Sequence, residues 1–178
     1  MRPRGKPAAP AEDVQRRLLD ALAESITKKG YRDSTVADIV RIARMSRRAF
    51  YTHFTSKQDC YVVLLSRINT ELISLIETAV DRECAWRDQV HQAVAAWLHA
   101  AHANPEITVS WIRDSPGLGD AGRLLQQEEL RRFQALIDNL ADRPHASSDD
   151  IPSPSPHAVV VLVGGLRELL ATQVEHKL

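Results

Sequence analysis

The run Asp33 to Cys60, DSTVADIVRIARMSRRAFYTHFTSKQDC, constrains this chain more than any other stretch. Thr35 is followed three residues later by Asp38. That is the S/T-x-x-D/E capping-box pattern, in which two side chains satisfy backbone N–H groups that lack partners in a first helical turn. Val36, Ile39, Ile42 and Ala43 then fall on one face of a short helix. Only Arg44 and Met45 separate it from a second cap, Ser46, which opens another short segment from Arg47 to Phe54. A third cap, Ser56, with Asp59 three residues on, begins a much longer helix.

Two short helices joined by a tight turn are the build of a helix-turn-helix, whose second helix lies in the DNA major groove. The second segment carries Arg47, Arg48, Tyr51, Thr52 and His53, while Ala49, Phe50 and Phe54 anchor one side only. The opposite side is left for donors. The alternative is a helical corner whose Arg residues are merely solvated, but a corner does not require a phenol, a hydroxyl and an imidazole beside two Arg.

The segment TVADIVRIARMSRRAFYTHFTSKQDC resembles the DNA-binding signature of the tetracycline-repressor (TetR) family of bacterial regulators. The matching pieces are the T-V-x-D-I opening, the S-R-x-x-F-Y-x-H-F helix and the S-K-x-D start of the next helix. The preceding amphipathic helix and the Gly30-Tyr31 corner also fit, and the match covers about the first third of the chain. The resemblance implies that Tyr51, Thr52 and His53 grip phosphates, with Lys57 as a further phosphate contact. A phenol, a hydroxyl and an imidazole N–H are suitable donors, and Lys57 opens a helix N-terminus, which itself attracts an anion. Ser46, Arg47 and Arg48 lie at the end that faces base edges, where Arg binds guanine O6 and N7 with paired bonds. Thr35 meets the DNA backbone through its capped helix end. Alternatives stand beside these: His53 as a staple with Phe54, Arg48 as a solvated cation. Phe50, Phe54, Ile39 and Ala43 read as core. The family turn often holds Gly where this chain has Arg44, and a φ > 0 position costs a larger residue about 1 kcal/mol.

Net charge is zero over 178 residues, which taken alone argues against a nucleic-acid binder. Its distribution argues the other way. Residues 1–56 carry 12 Lys+Arg against 6 Asp+Glu, and residues 57–178 carry 11 against 17. A basic head on an acidic body suits a molecule with one end that meets phosphate. Hydrophobic residues make up 44% of the chain, enough for a core, and strand-like alternation is hard to find, so the fold is expected to be all-α. Two domains are expected: a three-helix N-terminal helix-turn-helix domain at 1–56, with a flexible basic arm at 1–10, and a helical ligand-binding and dimerisation domain at 57–178. The arm, MRPRGKPAAP, reads either as a loose tail or as a strap along the phosphates.

Glu12 to Lys29 reads as an amphipathic brace stopped by Gly30, with Tyr31 covering its small core. Lys57 to Asp81 reads as one long helix, and Trp86 to Ala103 as the next, ended by Pro105. Glu106 to Arg113 is a short apolar piece, Ser115 to Gly122 a loop, and Arg123 to Asp142 a helix with Leu124, Gln127, Leu130, Phe133 (or Gln134), Ile137 and Leu140 on its apolar face. Pro144 to Pro156 is a polar, Pro-rich linker. His157 to Val174 is the last helix, with Ser155-Pro156 as cap and first-turn proline. Its run Val159 to Val163 with Gly164 and Gly165 is wider than one amphipathic stripe, so the last two helices are the expected homodimer surface, four helices per interface. The alternative is an intrachain core helix.

A double-stranded DNA operator read as a near-palindrome, a second copy and an unknown small-molecule effector are therefore the expected partners. By resemblance, the effector enters the helical body and moves the two DNA heads apart, a repressor's release. His91, Trp97 and Trp111 are candidate wall residues, each with plain core as its alternative. His91, His99 and His102 lie near one helix face, yet no acidic or Cys partner sits at ligand spacing, so no metal site and no cofactor are expected. No nucleophile with a base, paired carboxylates, Gly-rich phosphate loop or H-E-x-x-H appears, and the chain is expected not to be an enzyme. Cys60 and Cys84 form no C-x-x-C, which suits a reduced cytoplasmic protein with a redox switch as the alternative. No apolar signal segment follows the N-terminus, and Ala158 to Leu166 is too short to span a bilayer. The rival readings are a helical protein-interaction adaptor without DNA binding and a metal- or redox-responsive regulator.

Overall fold

A computed structural model describes residues 10–141 and 155–176. Residues 1–9 of the expected N-terminal arm and most of the Pro-rich linker lie outside the described residues, and Pro10, expected in the arm, opens the first helix. The described chain is helical: α1 (Pro10–Asp33), α2 (Val36–Ala43), α3 (Arg47–His53), α4 (Lys57–Ala79), α5 (Trp86–Ala103), α6 (Pro105–Asp114), a 3-10 turn (Ser115–Leu118), α7 (Asp120–Ala141) and α8 (Pro156–Glu175). It divides into two compact units, Met1–Leu64 and Leu65–Leu178, with the division falling inside α4.

In the first unit, α1 packs along α2 and buries Leu18, Leu19, Ala21, Leu22 and Ile26. Ile39, Val40 and Ala43 of α2, Phe50 of α3, Phe54, and Cys60, Tyr61 and Leu64 of α4 complete this core. Burial of each large apolar side chain contributes about 1.5–3 kcal/mol. The α1 helix breaks at Gly30, where φ is 80°. Arg17 donates to the carbonyl of Ala43 at 2.8 Å, so a cation of α1 satisfies the C-terminal end of α2. Arg44 then takes the left-handed conformation, φ 55° and ψ 49°. The Met45 N–H reaches back to the Val40 carbonyl at 2.8 Å, the long closing bond of a Schellman turn. The turn therefore has the positive φ that the sequence suggests, and a non-glycine residue holds it.

In the second unit, α4 buries Leu65, Asn69, Leu72 and Ile76, Val80 just beyond it is buried too, and Trp97 of α5 stacks on Phe133 of α7 with centroids 4.7 Å apart. Pro105 ends α5, as expected, and also serves as the first residue of α6, where its missing N–H costs nothing. The apolar piece after it is a full helix that buries Ile107, Trp111 and Ile112. The region read as a loop holds the 3-10 turn and the start of α7. Gly122 makes this close join feasible, because a Cβ there would lie 2.2 Å from the Ser115 carbonyl oxygen. The buried face of α7 also differs from the expected one. Leu125, Glu129, Phe133, Leu136 and Leu140 are buried, whereas Leu124 is 58% exposed. Sequence periodicity tolerates a shift of one residue, and the buried stripe here includes a carboxylate, Glu129.

The α8 helix begins at its expected cap: the Ser155 hydroxyl accepts from the Ala158 N–H at 3.3 Å. It packs against α6 and α7 through Val159, Val163, Leu170, Ala171 and Val174. Arg113 of α6 holds it with four charge-assisted bonds of 2.9–3.0 Å to Glu168 and Glu175. Among the described residues, α8 is one helix long and apolar enough by length and composition to cross a membrane, so the whole helix passes a test that its nine-residue apolar run does not.

Candidate nucleic-acid interface

The presentation of α3 follows from its anchors. The Ser46 hydroxyl accepts from the Ala49 N–H at 3.0 Å and fixes the first turn. Phe50 is fully buried, in edge contact with Tyr51 and 5.5 Å from the Phe54 ring. With that side pinned, Ser46, Arg47, Arg48, Tyr51 and Thr52 are exposed together, and His53 is half-buried. Tyr51 is 57% exposed, an unusual position for a large aromatic with no partner surface. The Thr52 hydroxyl donates to the Arg48 carbonyl at 3.0 Å, so it offers lone pairs outward and must rotate to donate.

Thr35 is exposed at the start of α2, but its side chain is engaged locally. It accepts from the Asp38 N–H and donates to the Asp38 carboxylate, while the Thr35 N–H binds the same carboxylate at 3.0 Å. The capping box is therefore closed, and a backbone contact here runs through the helix end. Lys29 bonds Asp38 at 2.6 Å, and with Thr35 it holds that carboxyl far below the usual range. The α4 cap differs from the expected pairing. Ser56 accepts from the Asp59 N–H, but the Asp59 carboxylate reaches the N–H and hydroxyl of Thr55, one residue earlier.

Lys57 stands apart from the other candidates. Its ammonium is half-buried and donates to the carbonyls of Ser34, Tyr31 and Arg32 at 2.8, 2.9 and 3.3 Å. It also lies 4.3 Å above the centre of the Tyr31 ring. Resemblance gives this cation to phosphate; in the free protein its donors face the broken end of α1.

In the second unit the three candidate wall residues separate. His91 is exposed, while Trp97 and Trp111 are buried in contact with other side chains. Trp111 lies 5.4 Å below the Arg167 guanidinium, which donates to the Glu129 carboxylate at 3.1 Å. Glu129 is 2% exposed, and its second oxygen has no hydrogen-bond partner among the described atoms. Burial pushes this carboxyl up to about 7, against the opposing pull of Arg167. Only opposite charges spaced across two helices marked this pair in the sequence, a signal too common to single it out. His99 is exposed, and His102 bonds the Leu98 carbonyl at 2.7 Å. Among the described residues no three His, Cys, Asp or Glu gather as a metal site. Asp81 accepts from the Cys84 thiol and raises it above its ordinary value, away from the thiolate needed for redox chemistry.

The model for bacterial regulatory proteins of the TetR family matches residues 18–64. The helix-turn-helix regulator SrpR of Pseudomonas putida is 33% identical over 119 residues, 66% of this chain and 53% of SrpR. TtgW, an uncharacterized helix-turn-helix regulator of the same species, is 32% identical over 119 residues, 66% of this chain and 84% of TtgW. The chain belongs to the TetR family. The fold agrees: the transcriptional regulator FadR from Bacillus subtilis, solved with stearoyl-CoA, superimposes with a TM-score of 0.76 at 16% identity, over 91% of this chain and 88% of that one. The chain spans between half and two thirds of the length of two curated relatives, SrpR and the Bacillus subtilis regulator YhgD.

TetR-family regulators bind operators and small effectors as dimers. In this member most of the exposed large apolar side chains gather on α8: Val160, Val161 at 75%, Leu162 and Leu169 at 68%, with Leu124 on α7, Leu75 on α4 and Tyr51 on α3. Gly164 and Gly165 have open space where a Cβ would stand. A groove of about 430 Å³ between α7 and α8 is lined by Leu130, Gln134, Ala135, Val159 and Val160 among others.

Proposed function

We propose that this chain is a dimeric repressor that reads a near-palindromic operator and is released by a small molecule. The observation that carries the reading is the exposed row Ser46, Arg47, Arg48, Tyr51 and Thr52 on a helix whose opposite side is fixed by fully buried Phe50. Ser46, Arg47 and Arg48 read base edges, and Tyr51, Thr52, His53 and Lys57 hold phosphates, with Thr35 contributing through the α2 end. One short helix offers limited affinity. A second copy, joined through the exposed stripe of α8 and through α7, places its own α3 about 34–36 Å away on the same face of the duplex.

The effector acts in the second unit, residues 65–178, as in the division of labour expected from the sequence for 57–178. Trp97 and Trp111 are its best wall candidates, and exposed His91 is the weakest. FadR, solved with stearoyl-CoA, supports a small-molecule reading without naming the ligand here. Release requires only that the effector bind the DNA-free arrangement more tightly. The role is regulatory and not enzymatic, and a cytoplasmic place fits it.

Selection of bound duplexes from a random pool, followed by mobility shift, tests the reading. An inverted repeat bound by two chains is expected. Indifference to every duplex in dilute buffer removes it and leaves the protein-interaction adaptor.

A further inference from the structure

We propose that Arg44 is an additional phosphate contact: the turn between α2 and α3 carries a strained cation that grips the DNA backbone beside the groove that α3 enters. The proposal rests on the reading of α3 as the DNA-binding helix and adds a residue which that reading does not use. Arg44 is the one non-glycine residue with positive φ among the described residues, at φ 55° and ψ 49°. An L side chain in that region works against its own backbone, and glycine would hold the same turn without the cost. Strain that persists in a fold is a reason to ask what the side chain imposing it does.

The turn itself makes no use of the guanidinium. It is closed by backbone bonds: the Arg44 N–H reaches the Arg41 carbonyl at 3.2 Å, and the Met45 N–H reaches the Val40 carbonyl at 2.8 Å. The ordinary task of a cation at a helix C-terminus is to satisfy its last carbonyls. Another residue performs it here, since Arg17 of α1 donates to the Ala43 carbonyl at 2.8 Å. The nearest acid in the sequence, Asp38, is already held by Lys29 at 2.6 Å, by the Thr35 hydroxyl at 2.5 Å and by Arg41 at 3.4 Å. Arg44 is exposed, and no side-chain hydrogen bond or ion pair engages its guanidinium among the described residues.

Residues 39–58 hold Arg41, Arg44, Arg47, Arg48 and Lys57 and no Asp or Glu. Like charges this close repel one another in the free protein and are relieved by an anion. Placement decides which anion Arg44 meets. Arg47 and Arg48 stand in the first turn of α3, the end that enters the groove in the proposed complex. Arg44 lies before the Ser46 cap, outside that helix and on the connection back to α2. A helix fills the major groove, which is about 12 Å wide. A cation flanking the start of the helix therefore meets the wall of the groove, and that wall is phosphate.

Salt dependence and melting temperature together test the contact. For the operator obtained by selection, affinity is measured across salt concentration for the full chain and for Arg44→Gly, Arg44→Asn and Arg44→Lys, with the melting temperature of each free protein. Each lost phosphate contact makes the plot of log affinity against log salt shallower by about 0.9, so a duplex bound by two chains loses about 1.8. Arg44→Gly should show that change and a loss of about fivefold per chain near about 0.15 M salt, from counterion release. Its melting temperature should rise by about 2–4 °C as the strain is removed. Arg44→Asn, uncharged and tolerant of the left-handed conformation, should match Arg44→Gly in affinity and slope. Arg44→Lys should keep the parent's slope, because a phosphate accepts a point charge where a guanine edge demands a fork. Discrimination between the operator and its single-base variants should stay the same in all three. A slope unchanged in Arg44→Gly and Arg44→Asn overturns the proposal. So does an affinity that falls together with the melting temperature at constant slope, the mark of a structural role, or an Arg44→Lys protein that behaves like Arg44→Gly. Should the uncharged variants fail to fold, the Arg44 Nε–H signal of the unaltered protein decides: it should exchange fast in the free chain and become protected on adding operator, and a signal indifferent to operator overturns the contact. If the parent binds no duplex, the reading of α3 fails and takes this contact with it; if the parent binds and its variants match it, the contact alone fails.

Discussion

At the scale of single residues, strain and burial sit where function or packing needs them. Arg44 is held at φ 55°, in the left-handed region that costs an L residue about 1–2 kcal/mol. Arg44→Gly should therefore raise stability by about 1 kcal/mol in urea unfolding; a lower midpoint would mean that the arginine side chain stabilises the turn by more than the strain. Glu129 gives a pH signature. Its carboxyl rises from 4.5 to about 7 on folding, so the folded state holds the proton more tightly than the unfolded one. The stability it contributes is full below about pH 4.5 and declines as pH rises towards 7, by something on the order of 3 kcal/mol. Glu129→Gln should flatten that decline, seen as a melting temperature that falls less between pH 5 and 8 than in the parent. The sequence made Thr35, Ser46 and Phe50 legible because caps and buried aromatics carry local signals. Glu129 was not legible, nor were the carbonyl partners of Lys57, since both owe their environment to residues far along the chain: Arg167 for one, and the carbonyls of 31–34 for the other.

At the scale of elements, caps and close approaches determine the boundaries. Thr35→Ala opens the capping box of α2 and should cost about 1 kcal/mol, with DNA affinity falling as the helix end frays. Gly122→Ala should cost more, about 1–3 kcal/mol, because the new Cβ meets backbone oxygen at 2.2 Å and no side chain can yield. Chemical unfolding of both variants checks the order; a neutral Gly122→Ala would contradict the close join between the 3-10 turn and α7. The starts of α2, α3 and α8 were readable from Thr35, Ser46 and Ser155. The start of α7 was not, because SPGLGDAG looks like a loop and Gly122 reveals its role only once Ser115 is folded against it. The α7 face slipped by one residue for a related reason: Leu124 and Leu125 compete for the same stripe, and only tertiary packing chooses Leu125.

At the scale of the whole molecule, charge and apolar surface are divided between the ends of the sequence. The excess of Lys+Arg in residues 1–56 suits a nucleic-acid role, and the proposed dimer gives the uncovered apolar side chains of α8 to another copy. Val161→Glu with Leu169→Glu should leave each chain helical and convert a dimer to monomers, read by sedimentation velocity; a dimer that survives would move the interface elsewhere. The pairing of α3 helices on one duplex is the claim on which repression and release both depend. Sedimentation equilibrium of the chain titrated onto its selected inverted repeat tests it most directly. Two chains should bind each duplex in one cooperative step, weakening steeply with salt and lost in Arg47→Ala with Arg48→Ala. A monomer that binds no duplex even in dilute buffer, or binding unaffected by those two substitutions, would contradict it.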